Sequence, residues 1–149
     1  MLRSRRLLRR LAPAFFALAC AGGMASAVSA AEIHLVAARG GQIANLSLDD
    51  AEQLFLGRRT TLANGTPVKL VDLPAGTVRD RLYLLLTGKN PIQTRAYWSR
   101  QVFTGRALPP REAESQQQAR DWLAITPDAI GYLPADVIDD RLKILLRLP

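Results

Sequence analysis

The stretch Thr126-Pro127-Asp128-Ala129-Ile130-Gly131-Tyr132-Leu133 decides the fold class, because it places a short apolar strand directly after a helix. Thr126 and Pro127 end the preceding helical pattern, since proline cannot continue a helix. Ala129 to Leu133 is short, apolar and free of charge, which predicts a buried strand.

Strands and helices alternate along the rest of the chain. The apolar runs predict strands at residues 33–38, 68–73, 129–133 and 142–148, the last of which could equally be helical. The 3.6-residue patterns and their end signals predict helices at residues 47–56, 77–87, 92–103 and 112–125. This alternation predicts a single α/β domain built around a mostly parallel sheet that is flanked by helices.

The first thirty residues have the pattern of a secretory signal peptide. Arginines at positions 3, 5, 6, 9 and 10 precede an apolar run, and small residues at 25–27 and 28–30 offer two cleavage sites. A twin-arginine signal at Arg5-Arg6 and lipoprotein processing at Cys20 stay open as variants. We therefore expect residues 1–30 to be removed, residues 31–149 to form one domain, and the protein to be periplasmic or secreted.

The high net charge belongs mostly to that leader. The whole chain carries 20 Lys and Arg against 13 Asp and Glu, and five of the basic residues and none of the acids lie in the leader. Residues 31–149 thus hold 15 basic and 13 acidic residues, a net charge of about +2, so the charge does not predict a nucleic-acid partner. The single cysteine, Cys20, also lies in the leader, so no internal disulfide is expected.

A set of short motifs between Leu46 and Leu133 resembles the periplasmic phosphate-binding proteins of ABC transporters. The motifs are Phe55-Leu56-Gly57-Arg58, Val68 to Leu73, Ala75-Gly76-Thr77, Tyr97-Trp98, Phe103-Thr104-Gly105 and Pro127-Asp128-Ala129-Ile130-Gly131-Tyr132. The resemblance implies a type II periplasmic-binding-protein-like fold. Because the chain has the length of one lobe, it is identified as a short, single-lobe member of that group.

The resemblance also implies a location for the ligand, at the start of the helix that begins near Thr77. Gly76 and Thr77 match the family's glycine-rich anion loop, whereas Val71 stands at the arginine position and Ala75 at the serine position. The free amides and positive dipole end of a helix start suit phosphate or sulfate. The implied ligand residues are Gly76, Thr77 and Arg79, with Arg81 as a further source of charge.

Each of these residues also has a simpler interpretation. Gly76-Thr77 could be an ordinary helix cap, with Asp80 completing a capping box. Arg58-Arg59 is more simply a solvated pair than an anion site. Tyr97 and Trp98 are more simply core residues than a binding surface.

The residue types exclude the usual catalytic and metal sites. His34 is the only histidine and Cys20 is the only cysteine, so neither a Cys-His pair nor a zinc site of the usual ligands can be built. The neighbouring acids Asp49-Asp50 and Asp139-Asp140 are better explained by helix capping and a polar turn. We therefore expect no enzyme activity, no cofactor, no catalytic residue and no metal ligand.

Two functions from different classes remain. In the first, the domain binds phosphate or a related oxyanion for transport or sensing, alone or with an ABC transporter or another periplasmic protein. In the second, it is a non-catalytic protein-interaction module derived from a binding-protein lobe whose ligand site has eroded. A homodimer that restores a two-lobed cleft is compatible with both.

Overall fold

The computed structural model describes residues 31–149, so the signal-peptide prediction for residues 1–30 lies outside the described residues. The strands are β1 Ile33–Ala38, β2 Lys69–Asp72, β3 Arg111–Glu112, β4 Ala129–Pro134 and β5 Leu142–Leu148. The α-helices are α1 Leu48–Phe55, α2 Thr77–Thr87, α3 Pro91–Phe103 and α4 Gln116–Ile125. The segment that the sequence left open between strand and helix is thus the strand β5. No helix within residues 31–149 has the length and apolar character needed to cross a membrane.

The strands form one five-stranded sheet in the order β3-β2-β4-β1-β5. This architecture confirms the α/β class with a sheet flanked by helices. The expected mostly parallel arrangement is corrected to a mixed sheet: β2 runs parallel to β3 and β4, but β1 runs antiparallel to both β4 and β5. Strand direction depends on how the chain returns to the sheet, and the apolar pattern of β1 is the same in either direction.

Alternate residues of β4 face the two helical layers. A Cβ built on Gly131 would lie 2.8 Å from Leu123 Cδ1, so this face of the strand packs directly against α4. The ring of Tyr132, which points to the opposite face, meets the ring of Phe55 edge-on at 5.8 Å, and Phe55 meets Tyr83 at 6.3 Å. The core therefore has α4 on one side of the sheet and α1 with α2 on the other.

The helices differ in how they begin. The side chains of Ser47, Asn90 and Ser115 accept hydrogen bonds from backbone amides at the starts of α1, α3 and α4. The start of α4 at Gln116 corrects the prediction that this helix begins at Glu112. Residues 111 and 112 instead pair with Val71 and Asp72 as β3, so the helix begins after the cap at Ser115.

Candidate functional site

The start of α2 carries no side-chain cap. Gly76 is the N-cap residue and has no side chain, and its carbonyl accepts the first helical hydrogen bond from Asp80 N at 3.0 Å. The expected capping box with Asp80 is therefore wrong, since no side chain accepts a hydrogen bond from the first amides of α2. Thr77 is the first helical residue and is exposed. The first amides of α2 are thus available to a ligand from solution.

A small pocket surrounds this helix start, and we call it the helix-start pocket. It has a volume of about 170 Å³, and it is lined by residues 73–78 and by Gln116. Gln116 is the first residue of α4, so the N-terminal ends of two helices lie at the same pocket. The sequence did not predict Gln116 as a site residue, because it lies far along the chain and follows an ordinary serine cap.

Arg79, the predicted source of positive charge, is held by two carboxylates. Its Nε lies 3.2 Å from Asp72 Oδ2, and its Nη1 lies 2.7 Å from Glu112 Oε2. Nη1 also donates to the Leu73 carbonyl at 3.4 Å. Burial alone would lower the pKa of Arg79, but its attraction to Asp72 and its hydrogen bond to Glu112 raise it. The guanidinium is therefore charged and its charge is already balanced, and Arg79 is not among the residues that line the helix-start pocket.

Asp72 is the centre of a buried polar cluster below the same loop. Its Oδ1 accepts hydrogen bonds from the Tyr132 hydroxyl and from the Leu73 amide at 3.0 Å, and its Oδ2 accepts from the Tyr83 hydroxyl at 2.9 Å. Burial raises the pKa of the Asp72 carboxyl, although Arg79 and the two tyrosine hydroxyls act in the opposite direction. Burial and the Asp72 charge also raise the pKa values of Tyr83 and Tyr132, so both hydroxyls remain donors. This cluster holds the end of β2 and the first residue of the loop in place.

The other arginines singled out in the sequence lie away from the helix-start pocket. Arg81 donates to the carbonyls of Ala31 and Pro149 at 3.2 and 2.6 Å, which joins α2 to the ends of the described chain. Arg58 lies 3.8 Å from Glu52, and Arg59 lies 2.9 Å from Asp50.

The aromatic pair and the histidine take mainly structural positions. Trp98 is buried, and the half-buried Tyr97 donates its hydroxyl to the Leu56 carbonyl at 2.6 Å. His34 is buried in β1, where its Nε2 lies 3.6 Å from Glu32 Oε2 and 3.4 Å from Arg147 Nη1. Residues 31–149 contain no cluster of three or more His, Cys, Asp or Glu side chains that could hold a metal ion.

Comparison with known proteins supports the fold and leaves the ligand undefined. No protein-family model matches the sequence, and no curated protein matches it with significance. A Clostridium perfringens protein described as a phosphate ABC transporter substrate-binding protein, solved with bound phosphate, has a TM-score of 0.60 at 15% identity. An ABC-type phosphate transport receptor from Vibrio cholerae has a TM-score of 0.51 at 12% identity.

Both comparisons cover 77% of this chain but only 44% and 45% of the other chains. The chain therefore spans less than half the length of the structures that it resembles. At such low identity the likeness shows a shared fold and does not show which residues bind a ligand. The structural neighbours are nevertheless phosphate-transport proteins, in agreement with the resemblance seen in the motifs.

Proposed function

We propose that this domain binds phosphate or a related oxyanion at the helix-start pocket, with Gly76 and Thr77 as the contacting residues. The observation that carries the proposal is the uncapped start of α2, whose first amides open into a pocket rather than onto a side-chain cap. The shared fold supports it, because one of the structural neighbours was solved with bound phosphate. The α2 dipole and the nearby start of α4 both favour a negative charge at this position.

The proposed binding is weak, because the positive charge of Arg79 is already paired with carboxylates. Arg79 is paired with Asp72 and Glu112, and Ala75 has no hydroxyl to offer to an anion. Backbone amides and the Thr77 hydroxyl are therefore the main donors, and Arg79, the third predicted ligand residue, contributes little while it is paired with Asp72 and Glu112. A single lobe also leaves the anion in contact with water, whereas ligand pockets usually enclose most of the ligand surface.

The proposed setting is the periplasm or the secreted fraction, after the removal of residues 1–30. There the domain acts in transport or sensing without catalysis, together with an ABC transporter or another periplasmic protein. A homodimer would place a second lobe over the solvent-exposed anion. In that case the phosphate affinity measured at high protein concentration exceeds that measured at low concentration.

The second candidate is a non-catalytic protein-interaction module, and two observations favour it. Arg79 is occupied by carboxylates, as expected where an anion site has eroded. In addition, Phe103 at the end of α3 and Leu108 in the following segment leave 92% and 80% of their surfaces exposed, which offers apolar area to a partner. On this account the former ligand face contacts another protein.

Calorimetric titration with phosphate and then sulfate at low salt tests the first candidate, using protein purified from the full chain expressed for export. Three variants sharpen the test. Thr77→Ala removes the hydroxyl and keeps the amide, whereas Thr77→Pro removes the amide donor at a helix position where proline is tolerated. Thr60→Ala is the control, since Thr60 is an exposed threonine outside the pocket.

Saturable binding that weakens in both Thr77 variants and persists in Thr60→Ala supports the anion-binding function. The larger loss is expected for Thr77→Pro, because the amides are the main donors. If wild-type protein releases or absorbs no heat up to millimolar phosphate and sulfate, the anion-binding function is wrong. The interaction module then becomes the account to pursue.

A further inference from the structure

A second and larger cavity lies between α2 and α3, and we call it the α2–α3 groove. Its volume is about 710 Å³, which falls within the roughly 300–1,000 Å³ range of ligand pockets in proteins. One face of α2, one face of α3 and the segment leading into β3 form its walls. It adjoins the helix-start pocket at Ala75, the residue that the two cavities share.

The walls of the groove are mostly apolar. Trp98, Val102 and Phe103 come from α3, and Pro109 and Pro110 come from the segment before β3. Phe103 is 92% exposed and Val102 is 48% exposed, so part of this apolar surface faces solvent. Such a surface favours a ligand with an apolar group of its own.

The charged groups of the groove fall into two sets. Arg79 and Glu112 neutralise each other at 2.7 Å. Asp80, from α2, and Arg95, from α3, also line the groove, and neither forms an ion pair with any residue of the described chain. The groove therefore has one unpaired carboxylate on one wall and one unpaired guanidinium on the other.

Two buried polar side chains, Thr94 and Trp98, also lie in the wall of the groove. Thr94 and Trp98 are 8% and 7% exposed, and within residues 31–149 neither Thr94 Oγ1 nor Trp98 Nε1 has a hydrogen-bond partner of good geometry. Trp98 Nε1 nevertheless lies close enough to the Tyr83 hydroxyl to lower the pKa of Tyr83. A buried donor without a partner is unfavourable by an amount comparable to a lost hydrogen bond. Both atoms are shielded from solvent, so a ligand that supplies an acceptor must shift a wall side chain to reach them.

We propose that the α2–α3 groove binds a short peptide with free termini and an apolar side chain. The peptide ammonium pairs with Asp80, the carboxylate pairs with Arg95, and the apolar side chain packs against Trp98, Val102 and the two prolines. A backbone carbonyl between the termini accepts the hydrogen bond from Trp98 Nε1. The volume of about 710 Å³ leaves room for a peptide rather than for a single amino acid. This site is distinct from the proposed anion site.

The test is a titration of ¹⁵N-labelled protein, purified from the full chain expressed for export, with the tripeptide Ala-Leu-Ala. The chain has two tryptophans, Trp98 and Trp122, so its indole signals are few and Trp98→Phe assigns them. We expect the Trp98 indole signal to move saturably and downfield as its N–H gains an acceptor, while the Trp122 signal stays in place. Phosphate alone should leave the Trp98 signal unchanged, which separates this result from the anion-binding proposal.

Charge variants and blocked peptides test the pairing of the termini. Asp80→Asn and Arg95→Gln should each weaken binding by roughly two- to fivefold, the range for partly exposed ion pairs. Asp136→Asn and Arg100→Gln are the matched controls outside the groove and should leave binding unchanged. Acetylating the amino end of the peptide should abolish the effect of Asp80→Asn, and amidating its carboxyl end should abolish that of Arg95→Gln.

Three results would overturn the proposal. The first is the absence of any saturable shift of the Trp98 signal up to millimolar Ala-Leu-Ala. The second is equal affinity for the free peptide and for a peptide blocked at both ends, which would make the groove a purely apolar surface. Equal affinity for Ala-Ser-Ala and Ala-Leu-Ala would also contradict it, because the apolar walls would then contribute nothing.

Discussion

At the residue scale, Asp72 connects the fold to the candidate site. Its carboxylate is buried at the end of β2, where it accepts hydrogen bonds from two tyrosine hydroxyls and from the first amide of the loop that leads to Gly76. It also forms an ion pair with Arg79, which lies in the first turn of α2. A single buried acid therefore both positions the loop and reduces the charge that Arg79 can offer to an anion.

The pH dependence of stability tests how Asp72 is ionised. Its folded-state pKa is raised by burial, so the native state holds the proton more tightly than the unfolded chain. Its ionisation then lowers the free energy of unfolding as pH rises from the ordinary value of 3.8 through the raised value. We expect the stability of the wild type relative to Asp72→Asn, measured by urea unfolding, to fall across this window. A relative stability that instead rises with pH would mean that Arg79 outweighs burial.

Gly131 gives a second prediction at the residue scale. A Cβ at this position would lie 2.8 Å from Leu123 Cδ1 and 3.2 Å from the Val71 carbonyl oxygen. Gly131→Ala should therefore lower the free energy of unfolding by about 1–3 kcal/mol, as overpacking does. Gly40→Ala is the control, since nothing lies within 4 Å of its added Cβ. If Gly131→Ala is as stable as Gly40→Ala, α4 does not pack on β4 as closely as described.

At the element scale, the start of α2 differs from the other helix starts. Asn90 and Gln93 form a reciprocal capping box at α3, whereas Gly76 leaves the first amides of α2 without a side-chain partner. The same feature that leaves α2 without a stabilising cap makes its start accessible to a ligand. Helix stability and anion binding should therefore oppose each other at this position.

Gly76→Asp tests this opposition directly. The new carboxylate can accept from the free amides and interact with the helix dipole, so stability should rise by a few tenths to about 1 kcal/mol. Phosphate binding should be lost, because the new carboxylate occupies the position of the anion and repels phosphate. Thermal unfolding and phosphate titration of the same sample measure both effects. Retention of phosphate binding in Gly76→Asp would place the anion elsewhere.

Asn90→Ala separates a general loss of stability from a loss of the site. Removing this cap should lower the free energy of unfolding by about 1 kcal/mol. Phosphate affinity should stay unchanged, because Asn90 caps α3 and does not line the helix-start pocket. A parallel loss of affinity would show that phosphate binding reports only on the stability of the domain.

At the scale of the whole molecule, the sequence predicted the positions of the helices and strands better than the way they pair and pack. The positions of β1, β4 and the helices α1 to α3 follow from apolar periodicity and end signals, which are local. The short strand β3 was missed because Arg111 and Glu112 are both charged and exposed, so no periodic pattern marks them. The direction of β1 and the pairing of Arg79 with Glu112 depend on contacts between distant parts of the chain, which periodicity does not reveal. Gly76 and Thr77 were predicted as ligand residues because they match the anion loop of the phosphate-binding proteins, and not from periodicity.

A phosphate titration followed through the backbone amide signals of ¹⁵N-labelled protein at low salt tests whether the start of α2 binds an oxyanion. We expect saturable shifts confined to the amides of Gly76, Thr77, Val78 and Gln116, where the two helices meet the helix-start pocket. The amides at the capped start of α3 should stay in place. No shift at millimolar phosphate, or similar shifts at every helix start, would contradict the claim that the start of α2 is an oxyanion site.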